Sequence, residues 1–129
     1  MKPAIDPSIL EQFTGSGNLY RHRLVRRIHF TDGIKYVADA GDAYWLIDEI
    51  VSAQLVDGAL WKEELQVWNL RVNKDRSAEL ICYDGSGNVL LTQRIEETDF
   101  PLPEVRLYYT GQVIMLPSEH RDTCIRRPR

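Results

Sequence analysis

An enzyme reading of this chain turns on six side chains of acid–base or ligating character: His22, His29, His120, Asp48, Asp99 and Glu119. Their spacing limits what they can do. Leu116-Pro117-Ser118-Glu119-His120 sets a serine, a carboxylate and a histidine side by side. A nucleophile, base and orienting acid must converge in space, and three consecutive side chains point in different directions. The run therefore reads as a polar exit from a strand. His22 and His29 are seven residues apart, which suits one helix face, yet no third ligand follows nearby. Zinc asks for three or four ligands with short paired spacings. An enzyme reading requires a pocket in which at least two of the six groups meet.

Two glycine-containing stretches fail as ligand loops. Asp84-Gly85-Ser86-Gly87-Asn88 begins like a calcium loop, but Val89 and Ile95 stand where that loop needs glycine and glutamate. It is better read as a hairpin turn. Gly15-Ser16-Gly17 lacks both a preceding strand and the lysine or third glycine of a phosphate cradle. No catalytic residue, metal site or cofactor is assigned from these patterns.

The feature best suited to binding is Tyr20-Arg21-His22-Arg23, continued by Arg26, Arg27 and His29. Arginines neutralise phosphates or carboxylates, and interleaved aromatics can stack on bases. The plain alternative is a solvated basic face that pairs with the acidic middle of the chain, where Asp48, Glu49 and Glu63 offer partners. Trp61, placed just before the first long strand, joins the set as an aromatic contact residue.

The elements that position these residues follow from periodicity. Ala43, Leu46, Ile47 and Ile50 recur at helical spacing, with Asp42 as the expected N-cap. Before them, Thr31 or Asp32 caps a shorter helix through Ile34, Val37 and Ala38 that Gly41 ends. Asp6 and Pro7 suggest one or two further turns over residues 8–13. In Leu19–Phe30, Leu24, Val25 and Ile28 fit a helical face while the aromatic and β-branched content also allows a short strand, and Tyr20–Arg23 reads as irregular or extended. From Glu63 the period falls to two. Strands are expected around Trp68–Val72, Ala78–Tyr83, Val89–Ile95, Val105–Tyr109 and Val113–Met115. The fold class is α+β: two N-terminal helices packed on an antiparallel meander sheet of about five strands. Residues 1–129 make one domain, with residues 1–6 loose and residues 121–129 a flexible basic tail.

Composition sets the remaining bounds. A formal net charge of −3 is unlike that of a dedicated nucleic-acid binder. Two cysteines, Cys82 and Cys124, are too few for a secreted disulfide scaffold, which favours reduced thiols in the cytoplasm. No stretch approaches the roughly 18 apolar residues of a membrane span.

Several segments carry a resemblance: Phe13-Thr14-Gly15-Ser16, Tyr20-Arg21-His22, Thr31-Asp32-Gly33-Ile34-Lys35-Tyr36, Ala43–Asp48, Gln66-Val67-Trp68, Thr98–Leu102 and Leu116–His120. Together they resemble a family of small uncharacterised bacterial proteins, a domain of unknown function met in phage, plasmid and mobile-element settings. The resemblance implies an accessory role and transfers no site residue. The expected function is a small non-enzymatic regulatory protein that binds a host macromolecule, with a defence protein as one such target. The alternatives are a nucleic-acid-binding regulator using residues 20–30 and an enzyme of unknown class. The expected partner is a protein; a homodimer through exposed sheet edges is compatible.

Overall fold

A computed structural model describes residues 19–56 and 60–119, with Trp61 through its backbone alone. The expected turns over residues 8–13, the loop at Gly15–Gly17, His120, Cys124 and both chain ends lie outside the described residues.

Among the described residues, seven strands and two helices form an α+β fold. In chain order they are β1 (Leu19–Arg21), β2 (His29–Thr31), α1 (Asp32–Gly41), α2 (Tyr44–Val56), β3 (Gln66–Val72), β4 (Ala78–Tyr83), β5 (Val89–Ile95), β6 (Glu104–Thr110) and β7 (Val113–Met115). A short 3-10 turn at Leu60–Lys62 joins α2 to β3. The sheet order is β1-β2-β7-β6-β3-β4-β5. All pairs are antiparallel except β2 with β7, which run parallel through His29↔Val113 and Phe30↔Ile114. The sheet is thus mixed and larger than a five-strand meander. The expected meander is not formed: β3-β4-β5 and β6-β7 are hairpin-linked neighbours, but β6 pairs with β3 and not with β5, and β1 and β2 extend the sheet past β7 through that parallel pairing.

Alternation on β3 and β4 divides the sheet faces. Trp68, Leu70, Leu80 and Cys82 are fully buried and share one core with Ile34, Leu46, Ile50 and Leu107. On the other face, register sets Glu104, Arg71, Glu79 and Arg94 side by side across four strands. Opposite charges alternate along that row, an arrangement that favours this pairing register.

The helix starts differ in one respect from expectation. Thr31 caps α1, its hydroxyl accepting the Ile34 N–H at 3.4 Å. Asp42 is the C-cap of α1 in the left-handed region (φ 52°, ψ 50°), not the N-cap of α2. Its N–H returns to the Ala38 carbonyl, and Ala43 N–H does the same at 2.9 Å. Aspartate tolerates this conformation better than most residues, so the turn forms one position after Gly41.

A buried amide pair fixes α2 against the sheet. Gln54 and Gln66 exchange hydrogen bonds at 2.7 and 2.9 Å, while Gln66 also donates to the Leu60 carbonyl and accepts from Trp68 Nε1. Every polar atom of the pair has a partner, which is the condition for burying it without large cost.

Candidate functional site

The basic segment is the β1–β2 hairpin and its loop. Arg21 pairs with His29, and His22 N–H continues the ladder to the Ile28 carbonyl at 2.9 Å. Inside the loop, Ile28 N–H closes back on the Val25 carbonyl at 3.0 Å, and Ile28 is buried.

His22 holds the loop together. Its ring is buried, and Nδ1 receives the N–H groups of Leu24 at 3.2 Å and Val25 at 3.0 Å. An N–H can only donate, so Nδ1 carries no proton and the proton sits on Nε2. Nε2–H then donates to Asp48 Oδ1 on α2 at 2.9 Å. One imidazole thus satisfies two loop amides and ties the loop to the helix. Its lone pair is occupied and its proton is committed.

The arginines are left outside this arrangement. Arg21, Arg23, Arg26 and Arg27 are all exposed, and none forms an ion pair with a described residue. The expected pairing of the basic segment with the acidic helix is made by His22 alone. Glu49 instead accepts from Gln93 at 2.7 Å. Leu24, at the loop tip, is 85% exposed.

The aromatics of the segment serve the fold. Tyr20 stacks on Phe30 with ring centroids 5.7 Å apart, and Lys35 Nζ sits 5.5 Å from the Tyr20 centroid. Lys35 also donates to Asp39 at 2.7 Å, and the Tyr44 hydroxyl donates to the other oxygen of the same carboxylate. The Lys35 ammonium, followed by the Tyr44 hydroxyl, holds the Asp39 carboxyl below the usual aspartate range. The same hydrogen bond, with partial burial, raises the Tyr44 phenol. His29 and Arg21 lie on the face of the hairpin opposite Tyr20 and Phe30, because paired residues share a face and neighbours alternate. The predicted cluster is therefore split across two faces. The Trp61 side chain lies outside the described residues.

Between this loop and α2 opens a pocket of about 400 Å³ lined by Arg21, Arg23, Leu24, Phe30, Tyr44 and Ile47, with His22 and Asp48. Phe30 and Ile47 are buried, and Leu24 and Tyr44 expose much of their surface. Of the six acid–base candidates in the sequence, His22 and Asp48 meet here. A second cavity of about 340 Å³ brings Arg27 to Tyr109, Gln54, Lys62 and Glu63. Burial raises the Tyr109 phenol and the Arg27 charge opposes that rise.

Glu119 has a different place from any the sequence suggested. Its side chain is buried beside the start of α1. Oε1 accepts from the Thr31 hydroxyl at 2.6 Å and from Leu116 N–H at 2.8 Å, and Oε2 accepts from Gly33 N–H at 3.3 Å. The carboxylate clamps the end of the sheet to a helix N-terminus, where negative charge is favoured. Asp99 is exposed in the connection before β6.

No group of three or more His, Cys, Asp or Glu side chains among the described residues is placed to hold a metal ion. No helix among them is long and apolar enough to cross a membrane. No curated protein and no solved structure matches the chain. Residues 7–120 match the Family of unknown function (DUF6876), and the chain belongs to that family.

Proposed function

We propose that this DUF6876 member is a non-enzymatic binding protein whose contact surface is the β1–β2 loop, and that its partner is an acidic protein surface. One observation carries the reading. Arg23, Arg26 and Arg27 stand exposed without ion-pair partners among the described residues, on the same loop as a leucine that is 85% exposed. Arginine is a preferred residue for interface ion pairs, and an exposed apolar side chain on the same loop provides an apolar contact beside them. Accessory action for a phage or mobile element against a host protein belongs to the same proposal and rests on the family resemblance, and a cytoplasmic setting rests on the low cysteine content.

The His22–Asp48 pair does not favour catalysis. A general base needs a free lone pair, and that of His22 is taken by two loop amides. A nucleic-acid partner is the second reading, because the same arginines suit phosphates. It is weakened by the aromatics, since Tyr20 and Phe30 stack on each other.

The test is affinity capture from host lysate, with and without nuclease, using wild-type protein and an Arg23→Ala/Arg26→Ala/Arg27→Ala variant. A protein retained after nuclease and lost with the variant supports the proposal. Capture unchanged in the variant moves the surface elsewhere. Capture lost with nuclease, with affinity falling steeply as salt rises, transfers the reading to nucleic acid.

A further inference from the structure

We infer that the pocket between the β1–β2 loop and α2 is an anchor site for one tryptophan or tyrosine side chain carried by an acidic segment of the partner. The inference rests on the binding reading above and adds the chemistry of what is bound.

The pocket walls set the body of the ligand. Phe30 and Ile47 are buried, while Leu24 and Tyr44 leave 85% and 44% of their surface exposed. A volume of about 400 Å³ leaves room for one aromatic side chain. The Tyr44 hydroxyl is bound to Asp39, so its ring is what it contributes.

The polar end sets the tip. His22 offers nothing further, since Nδ1 accepts two loop amides and Nε2–H is given to Asp48 Oδ1. Asp48 is two-thirds exposed, and its Oδ2 makes no hydrogen bond with a described residue. A carboxylate oxygen can only accept. The ligand must therefore end in a donor, as an indole N–H or phenol O–H does. A phenylalanine or leucine would desolvate that oxygen without replacing its water. A lysine or arginine would meet Asp48 but would face the surrounding arginines.

Charge sets the flanks. Arg21 and Arg23 line the pocket, and Arg26 and Arg27 follow on the same loop without ion-pair partners among the described residues. Against one aspartate these cations favour carboxylates on either side of the anchor.

The probes are fluorescein-labelled acidic peptides of aspartate and glutamate around one central residue, read by anisotropy against the full chain. Tryptophan and tyrosine peptides are expected to bind about tenfold tighter than the phenylalanine peptide, the worth of one charge-assisted hydrogen bond. Asp48→Asn keeps an acceptor for His22 but can turn an amide N–H₂ into the pocket. It should bring tryptophan and phenylalanine to within about twofold of each other while leaving the thermal midpoint near wild type. Equal binding of the two peptides to wild type, or an undiminished preference in Asp48→Asn, overturns the inference. So does binding of AMP or CMP that displaces the tryptophan peptide. Failure of every peptide to bind also overturns it. If the arginine variant nevertheless loses its captured protein, the loop surface stands and only the anchor is lost.

Discussion

Gly33→Ala separates the effect of a packed carboxylate clamp from that of helix propensity, because the two predict opposite signs. Gly33 is the second residue of α1 and does not have a positive φ, so by propensity alone alanine should stabilise by about 0.5–1 kcal/mol. The space says otherwise. A Cβ there would lie 2.6 Å from Leu116 Cδ1, 2.8 Å from Glu119 Oε1 and 3.0 Å from Glu119 Cδ. The Leu116 methyl is fully buried, and Glu119 cannot retreat without releasing Thr31, Leu116 and Gly33. Overpacking costs about 1–3 kcal/mol, and loosening hydrogen bonds to a buried charge adds about 1–2 kcal/mol more. After the propensity gain is subtracted, a net loss of about 2 kcal/mol remains, or a fall in midpoint of roughly 8 °C for a domain of this size.

The assay is thermal and urea unfolding followed by far-UV circular dichroism, with Glu119→Ala and the double variant completing a cycle. Glu119→Ala alone should cost about 3 kcal/mol, because it leaves the Thr31 hydroxyl and two backbone N–H groups without their acceptor. The double variant should lose clearly less than the sum of the single losses, since both break one clamp. A Gly33→Ala protein as stable as wild type, or strict additivity in the cycle, would refute the reasoning.

Other consequences follow from the same geometry. Gln66→Leu should cost about 3 kcal/mol in urea unfolding, because it strands Gln54, the Trp68 N–H and the Leu60 carbonyl; a loss below about 1 kcal/mol would show the network to be dispensable. Asp39 titrates below the ordinary aspartate value of about 4, so its stabilising contribution is complete above that pH and is lost as pH falls through the depressed value. Asp39→Asn should therefore flatten part of the acid limb of the midpoint-versus-pH curve, and an unchanged limb would contradict the pairing with Lys35 and Tyr44. Leu24→Asp should leave stability within about 0.5 kcal/mol of wild type while abolishing partner capture. A large fall in its midpoint would mean that Leu24 packs in solution.

The readable parts of this fold are the local ones. Ile34, Val37 and Ala38 at helical spacing, and Trp68, Leu70 and Leu80 at strand spacing, point to the core because burial imposes those periods within one element. The three-residue strands β1 and β2 carry too few residues to show a period. Their parallel junction with β7 joins His29 to Val113, a pairing that no local pattern encodes. Asp42 was ambiguous for a similar reason, since the same residue type caps a helix start or tolerates a left-handed turn after one. Glu119, flanked by Ser118 and His120, reads locally as part of a polar strand exit, because its partners Thr31 and Gly33 lie 88 and 86 residues away.

The same division identifies the residues most worth testing. In the β1–β2 loop, the His22 ring and the backbone of Leu24, Val25 and Ile28 make the hydrogen bonds that shape the turn, and Ile28 and His22 fill its buried side. The side chains of Arg23, Leu24, Arg26 and Arg27 add no such bond and remain exposed; Leu24 contributes through its backbone N–H alone. Surface arginines cost the fold little, but an exposed leucine is better replaced by a polar residue if solubility alone matters. A loop held by one set of residues and decorated by another can change its decoration without losing its shape. Binding and stability should therefore separate cleanly here: substitutions at His22 should disturb both, and substitutions at Arg23, Leu24, Arg26 and Arg27 should disturb binding alone.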